Sequence, residues 1–168
     1  MVVYLIGSLR NPEVPKVAKV LRDRGIEVFD DWHAGGEKAD EEWMKYEKER
    51  GRDYHQALEG HAAKHTFHYD LHHLNQADVG VMVAPSGRSG HLELGYMLGQ
   101  NKPGIIYMPE DPERWEVMVL FASKICRTVN GLVAELEKLK GTYQQLSRHP
   151  SYGGLKLFLN VEQPEAEL

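Results

Sequence analysis

The fold of this chain is decided by residues 79–99, which read VGVMVAPSGRSGHLELGYMLG. Val79–Val83 is a short run of apolar and small residues, as is typical of a parallel strand buried on both faces. A loop rich in Pro, Ser and Gly follows, and the apolar positions beyond it suit a helix that begins near Ser89. A strand, a loop and a helix in this order begin a βαβ unit, which predicts a parallel sheet.

The same order recurs on both sides of this stretch. Further strands are predicted at residues 2–6, 26–29 and 104–108, and helices at about 14–24, 40–50, 54–75, 114–124 and 130–140. This alternation predicts an α/β fold: a doubly wound, flavodoxin/Rossmann-like parallel sheet of about four to five strands with helices on both faces. Residues 1–140 are predicted to form this domain. Residues 141–168 are predicted to be a C-terminal tail, with an apolar island at 155–161, that docks on the domain or on a neighbouring subunit.

Composition places the chain among single globular domains. It has 168 residues, of which 42% are hydrophobic and 27% charged, so a core can form without disulfides. The net charge of -5 argues against a nucleic-acid partner or an anionic membrane surface and favours small substrates. The single cysteine, Cys126, indicates a reducing compartment, and the sequence shows neither a signal peptide nor an apolar run of ~20 residues. We therefore expect a cytoplasmic protein.

Three polar loops follow the predicted strands and are the expected ligand site. They span residues 7–10, 30–33 and 85–90, and an open α/β sheet binds its ligand beyond the carboxyl ends of its strands. Glu93 lies about one turn inside the helix after the third loop, where the helix dipole favours an ionised carboxylate, as a nucleophile or general base requires. The same position also suits a glutamate that only complements the dipole. The glycines around it leave room for a ligand, which favours a site.

Motifs for metals and cofactors are weak. Four histidines share one face of the predicted helix at 54–75: His61, His65, His68 and His72. Two histidines at i and i+4 need further ligands to form a zinc site, and the chain has no HExxH motif, so no metal is predicted. We expect a solvated or subunit-facing histidine face instead. The first loop is not a GxGxxG motif and no P-loop lysine follows it, so no cofactor such as NAD or ATP is predicted.

Taken in order, these motifs resemble the nucleoside 2-deoxyribosyltransferase family over about residues 2–125. The resemblance begins with Tyr4 in the first strand and continues with Asp70 ahead of the third strand. Its most specific part is the sequence Glu93-Leu94-Gly95-Tyr96 after that strand. The remaining matching segments are Asn75-Gln76-Ala77-Asp78 and Gly99-Gln100-Asn101-Lys102-Pro103.

The resemblance implies a double displacement at the anomeric carbon of a 2′-deoxyribonucleoside. Glu93 matches the nucleophile, which expels the base and holds the deoxyribosyl group as an ester until another base accepts it. Tyr4 matches the tyrosine that orients this glutamate, although a strand tyrosine can equally be an ordinary core residue. Asp70 matches the aspartate that gives the departing base its proton. The implied partners are a nucleoside or nucleotide and a free nucleobase, in a homo-oligomer with shared active sites.

Two features depart from the transferase pattern. Gly87 stands where family transferases often carry an aspartate that helps to bind the sugar. The first loop resembles that of the related 2′-deoxynucleoside 5′-phosphate N-hydrolases, in which Ser and Arg contact phosphate, although Arg10 and Arg88 also suit plain solvent exposure. Hydrolysis of a deoxynucleotide is therefore the alternative reaction, and a non-catalytic nucleotide-binding module is a second alternative. The predicted substrate-binding residues are Gly7, Ser8, Arg10, Asp31, Ser86, Gly87, Arg88, Ser89 and Met118.

Overall fold

The computed structural model describes residues 1–147. Within them the strands are β1 (Val2–Ile6), β2 (Glu27–Phe29), β3 (Val79–Val83), β4 (Gly104–Tyr107) and β5 (Lys124–Cys126). The helices are α1 (Glu13–Asp23), α2 (Ala39–Glu49), α3 (Tyr54–Leu58), α4 (His61–Gln76), α5 (Arg88–Gly99) and α6 (Val129–Ser147). Short 3₁₀ turns lie at Asp31–Gly35 and Val117–Phe121. The predicted apolar island at 155–161 lies outside the described residues.

The described residues form one five-stranded sheet in the order β2-β1-β3-β4-β5, and all neighbouring strands are parallel. This is the strand order of a flavodoxin-like, doubly wound fold, so the predicted fold class is confirmed. The chain moves from β1 outward to β2 and then returns across β1 to β3. The crevice between β1 and β3 is therefore the point at which the winding reverses, where such sheets bind ligands.

Alternation of side chains along β1 divides the core into two layers. Val3 and Leu5 pack with α1 and α6 on one face of the sheet. Tyr4 and Ile6 pack with α4 and α5 on the other face. Side chains that point from α4 or α5 towards β1 therefore meet Tyr4.

Two predicted helices were wrong in detail. Residues 54–75 form α3 and α4 rather than one helix, because the chain turns at Gly60, where a Cβ would lie only 2.9 Å from the Ala57 carbonyl oxygen. The predicted helix at 114–124 contains instead the 3₁₀ turn Val117–Phe121 and the start of β5. Residues 124–126 form a strand because they pair with the open edge of β4. This pairing supplies hydrogen-bond partners for backbone groups at that edge, such as the bond from Met108 N–H to the Cys126 carbonyl (2.9 Å).

The last helix is longer than the pattern predicted. It runs past residue 140 to Ser147, and Tyr143 packs against the core and donates a hydrogen bond to the Asp78 carbonyl (3.3 Å). Gly141 does not end the helix, since packing of the following turn outweighs the poor helix propensity of one glycine. The division of the chain into a domain and a tail stays a prediction.

Within residues 1–147, no helix has both the length and the hydropathy that a membrane-spanning segment requires.

Candidate active site

Tyr4, Asp70 and Glu93 form a cluster on the α4/α5 face of the sheet. Tyr4 comes from β1 and is 1% exposed. Asp70 comes from α4 and Glu93 from α5, and both carboxylates act electrostatically on the Tyr4 hydroxyl. Asp70 also acts on Glu93. The structure thus brings together the predicted catalytic residues, which lie far apart in the sequence.

Close packing of α5 on the sheet places Glu93 in this cluster. A Cβ at Gly90 would overlap Ser86 Oγ and would lie 3.0 Å from Ile6 Cγ2, so glycine allows the start of α5 to rest against β1. A Cβ at Gly80 would similarly lie 2.7 Å from Met97 Sδ. Side chains on a helix are tilted towards its N-terminus, so Glu93 projects towards the carboxyl ends of the strands.

Burial decides the charge state of Glu93. Removal from water, and secondarily the charge of Asp70, raise the pKa of Glu93 to about 7. The helix dipole was expected to favour the ionised form, but Glu93 is the sixth residue of α5 and the dipole's influence falls off within the first turn. Glu93 therefore changes its charge across neutral pH.

Asp70 and Tyr4 have complementary roles in the cluster. Burial raises the pKa of Asp70, while His73 and the hydrogen-bonding interaction with the Tyr4 hydroxyl oppose the rise. Even so, Asp70 Oδ1 is a buried oxygen with no hydrogen-bond partner in the described part of the chain. Burial, Glu93 and Asp70 all raise the pKa of Tyr4, so its hydroxyl stays protonated and can donate. Asp70 thus offers an acceptor oxygen without a partner, and the Tyr4 hydroxyl beside it is a donor. Such a pair is expected of a site that binds a polar ligand.

An aromatic stack that sequence reasoning missed supports the cluster from β2. Phe29 stacks on Tyr4, with ring centroids 5.1 Å apart. His73 stacks on Phe29 at 3.9 Å and an interplanar angle of 16°. The available signal was that His73 follows Asp70 by three residues, which places both on one face of a helix.

The first loop is tied to its surroundings on both sides. A Cβ at Gly7 would lie 2.6 Å from Val14 Cγ2, so glycine is needed there. Ser8 Oγ accepts a bond from Arg10 N–H (3.2 Å), and the Arg10 guanidinium forms an ion pair with Glu41 of α2. Asn11 was missed as a site-forming residue, yet it is buried and links this loop to the third one. Its side-chain amide donates to the carbonyls of Val83 (3.2 Å) and Pro85 (3.1 Å).

The other predicted substrate-binding residues do not form one group. Gly87 is the N-cap of α5, and Arg88 and Ser89 are exposed in its first turn. Asp31 is exposed at the start of the first 3₁₀ turn, and Met118, in the second, is 65% exposed. Asp31 and Met118 thus face solvent in the two 3₁₀ turns.

A cavity of about 650 Å³ opens on the β4 side of α5. Ser86 and His91 line it together with Trp115 from the loop after β4. The Ser86 hydroxyl is buried and has no hydrogen-bond partner among the described residues. His91 is turned back onto the start of its own helix, where Nδ1 lies 2.8 Å from the Gly87 carbonyl oxygen. Of the predicted site residues, Ser86 is the one that lines this cavity in the described part of the chain, whereas Tyr4, Asp70 and Glu93 do not.

Metal ligation finds no support in the described residues, where no group of three or more His, Cys, Asp and Glu side chains is placed to hold an ion.

Comparison with known proteins gives a likeness of fold. The sequence matches no family model and no curated protein. Among solved structures, the chain is similar to a 2-deoxyribosyltransferase from the psychrotolerant bacterium Bacillus psychrosaccharolyticus, with a TM-score of 0.53. The sequence identity is 21%, and the match covers 79% of this chain and 90% of that chain. At this identity the likeness establishes a shared α/β fold.

Proposed function

We propose that this protein is a nucleoside 2-deoxyribosyltransferase, which moves the deoxyribosyl group of a 2′-deoxyribonucleoside from one base to another. The observation that carries the proposal is the meeting of Glu93, Asp70 and Tyr4 between β1, α4 and α5, where the two carboxyl groups and the tyrosine hydroxyl interact with one another. Paired carboxyls in a partly dry site suit chemistry at an anomeric carbon. The fold shared with a 2-deoxyribosyltransferase supports the same class of reaction.

In the first step, the Glu93 carboxylate attacks the anomeric carbon and the bond from that carbon to the base nitrogen breaks. The electron pair of the broken bond stays on the base, which takes a proton from the Asp70 carboxyl group. The Tyr4 hydroxyl, which is held protonated, has one proton to donate. It interacts with the Asp70 carboxyl group in this structure, and in the reaction we expect it to orient the Glu93 carboxylate. The sugar is then an ester of Glu93.

In the second step, a nitrogen of the incoming base attacks the same carbon and releases the Glu93 carboxylate. The Asp70 carboxylate accepts the proton that the incoming base loses, so the cluster returns to its starting state. Over the two steps, Glu93 forms and then breaks one bond to the sugar, and Asp70 gives up and then recovers one proton. The anomeric carbon is inverted twice, so the sugar keeps its configuration.

The reactive form therefore carries one proton on two carboxyl groups. Because Asp70 and Glu93 interact, they titrate as a pair rather than as independent sites. We expect a bell-shaped dependence of kcat on pH, in which loss of the first proton starts activity and loss of the second ends it.

The alternative reaction, hydrolysis of a 2′-deoxynucleoside 5′-phosphate, uses the same cluster with water as the acceptor. Two observations support this alternative. Gly87 brings no carboxylate to the start of α5, and the buried Ser86 hydroxyl has no hydrogen-bond partner in the described part of the chain. A hydroxyl beside the free N–H groups of a helix start suits a phosphate.

The test is a base-exchange assay. The protein is incubated with thymidine or deoxyinosine and a second base, and separately with dCMP or dUMP, and the products are separated by chromatography. Exchange of bases supports transfer. Release of free base from the nucleotides alone supports hydrolysis.

Variants of Glu93 decide whether the cluster is responsible. We expect Glu93→Gln and Glu93→Ala to lower turnover at least ~1000-fold, since no nucleophile remains. The matched control is Glu137→Gln, which alters an exposed carboxylate on α6. Wild-type turnover by Glu93→Ala would contradict the proposal. Binding of nucleotides with no turnover by the wild type would point to a non-catalytic binding module.

We also propose that the protein acts as a homo-oligomer in which subunits complete each other's sites. Large apolar side chains are exposed around the second 3₁₀ turn, as expected of a surface that a partner covers. They are Trp115 (84% exposed), Val117 (69%), Leu120 (79%) and Phe121 (69%).

A further inference from the structure

A hydrogen-bond network joins the last turns of α4 and α5. The Tyr96 hydroxyl of α5 donates to Asn75 Oδ1 of α4 (2.8 Å), and Gln100 Nε2, directly after α5, donates to the same oxygen (3.1 Å). Lys102, just before β4, donates to the Asn75 carbonyl (2.8 Å). All four residues lie in the segments that carry the family resemblance, so those segments contain more than the proposed reacting groups.

The two helices differ in how firmly the rest of the fold holds them. α5 rests against the sheet through Leu94 and Met97, which are 5% and 0% exposed, and through the close approach at Gly90. In α4, which lies wholly within the described residues, Leu74 is the one buried side chain. The four histidines of the predicted face of this helix are exposed: His61, His65, His68 and His72. α4 therefore depends more than α5 on contacts with its neighbour.

The network lies about one turn away from the proposed reacting groups. Tyr96 and Gln100 follow Glu93 by three and seven residues, a spacing that keeps all three on one face of a helix. Asn75 follows Asp70 on α4 by five residues. Each helix leads back to the start of a strand, α4 to β3 and α5 to β4, so their last turns lie side by side. A bond at this place fixes the separation of the two helices close to their carboxyl groups.

We propose that Tyr96 and Asn75 are positioning residues: the hydrogen bond between them clamps α4 onto α5 and holds Asp70 at the distance from Glu93 that the proposed reaction needs. The proposal rests on the proposed function and deepens it. Glu93 attacks from a helix that the sheet already holds, whereas the proton of Asp70 comes from the less firmly held helix. Loss of the clamp therefore affects delivery of the proton more than it affects the attack.

Two variants break the bond from opposite sides. Tyr96→Phe removes the hydroxyl that donates and keeps the ring, whereas Asn75→Ala removes the oxygen that accepts. If both act through one bond, Tyr96→Phe should add little to the effect of Asn75→Ala in the double variant. Tyr54→Phe, which changes an exposed tyrosine of α3, is the matched control.

The kinetic test separates the acid from the nucleophile. With deoxyguanosine we expect Tyr96→Phe to lower kcat roughly 10-fold and to leave KM nearly unchanged, because the clamp displaces the acid without touching the substrate. In 7-methyl-2′-deoxyguanosine the base carries a positive charge and departs as a neutral molecule, so it needs no proton and should react at close to the wild-type rate. An equal loss with both substrates, or no loss with either, would overturn the proposal.

A second readout does not depend on turnover. Amide hydrogen exchange, followed by mass spectrometry, should become roughly 2- to 10-fold faster at residues 70–76 in Tyr96→Phe, since a hydrogen bond is lost at the end of α4. Exchange in α5 should stay as in the wild type, and Tyr54→Phe should show no change at 70–76. Unchanged exchange at 70–76 in Tyr96→Phe overturns the inference even if the protein transfers deoxyribose. Faster exchange in a protein that acts on none of the substrates sustains the clamp and refutes the proposed reaction.

Discussion

Glu93 is held in the folded protein in a state that opposes stability. Its pKa rises from 4.5 to about 7 on folding because the site is partly dry. Below the unfolded pKa the residue is protonated in both states and has no effect on the free energy of unfolding. Between the unfolded and the folded pKa the carboxyl group is ionised in the unfolded chain but still protonated in the folded one, so stability falls as the pH rises, and the loss is complete above the folded pKa. Substitution should reverse this loss, as is common at active sites.

We therefore predict that Glu93→Gln is more stable than the wild type at pH 8, by roughly 1 to 3 kcal/mol, and about equally stable at pH 4. For a chain of this size that is a rise in Tm of about 2–4 °C for each kcal/mol. Urea unfolding at both pH values measures the difference, with Glu137→Gln as the exposed control. An equal effect of Glu93→Gln at the two pH values would show that ionisation is not the cause.

At this scale the sequence was informative where function leaves a motif. Glu93, Tyr4 and Asp70 could be selected as candidates because they match residues of the family that the sequence resembles. The contacts of Phe29 and His73, and the bonds of Asn11 to Val83 and Pro85, could not. They join residues through space, and no local pattern records such a pairing.

Among the elements, α5 depends on one glycine for its seat on the sheet. Gly90→Ala would place a methyl group against Ser86 Oγ and Ile6 Cγ2 and push the start of α5 away from β1. We predict a loss of about 1–3 kcal/mol in unfolding free energy, together with reduced turnover, since Glu93 moves with the helix.

Gly95→Ala on the same helix is the matched control. A Cβ at Gly95 has no atom of the described chain within 4 Å, so alanine should stabilise the helix by about 0.5–1 kcal/mol. Denaturant unfolding and base exchange are measured for both variants. Equal stability of the two would mean that close packing at Gly90 does not matter.

Elements with strong periodicity could be predicted, and those decided by tertiary contacts could not. β1 and β3 have the predicted limits because nearly continuous apolar runs allow few alternatives. β5 has only three residues, and its strand conformation follows from pairing with β4. The break between α3 and α4 depends on the close approach at Gly60.

At the scale of the whole molecule, the strand order explains where the candidate site lies. Winding reverses at β1 and β3, so the helices on the two sides of this crevice leave it open at the carboxyl ends of the strands. A site at the carboxyl ends of the strands could be predicted from the alternation of strands and helices. The strand order could not, because the right-handed crossover rule fixes the face on which a helix lies and not the position of the next strand. What covers the exposed apolar side chains around the second 3₁₀ turn could not be predicted, since a single sequence does not record the position of a partner.

The proposed division of the chain into a domain and a tail is testable by truncation. We predict that a chain ending at Ser147 unfolds in one cooperative transition, with a Tm within about 4 °C of the full chain, because the sheet and both core layers are already complete. Calorimetry measures the transition, and light scattering compares the masses of the two chains. Loss of cooperative unfolding would show that residues 148–168 belong to the core.

The helix that carries Asp70 is secured mainly through its C-terminal end. Lys102 Nζ donates to the carbonyls of Leu74 and Asn75, at 2.8 Å each. Among the described residues, Leu74 is the one fully buried side chain of α4, so the turns near His61 can open locally while the sheet stays folded. Asp70 lies one turn before Leu74, at the secured end of the helix, so we expect such an opening to leave Asp70 beside Tyr4 and Glu93. The histidine-bearing turns of α4 can thus exchange their amide hydrogens early without disturbing the three proposed catalytic residues.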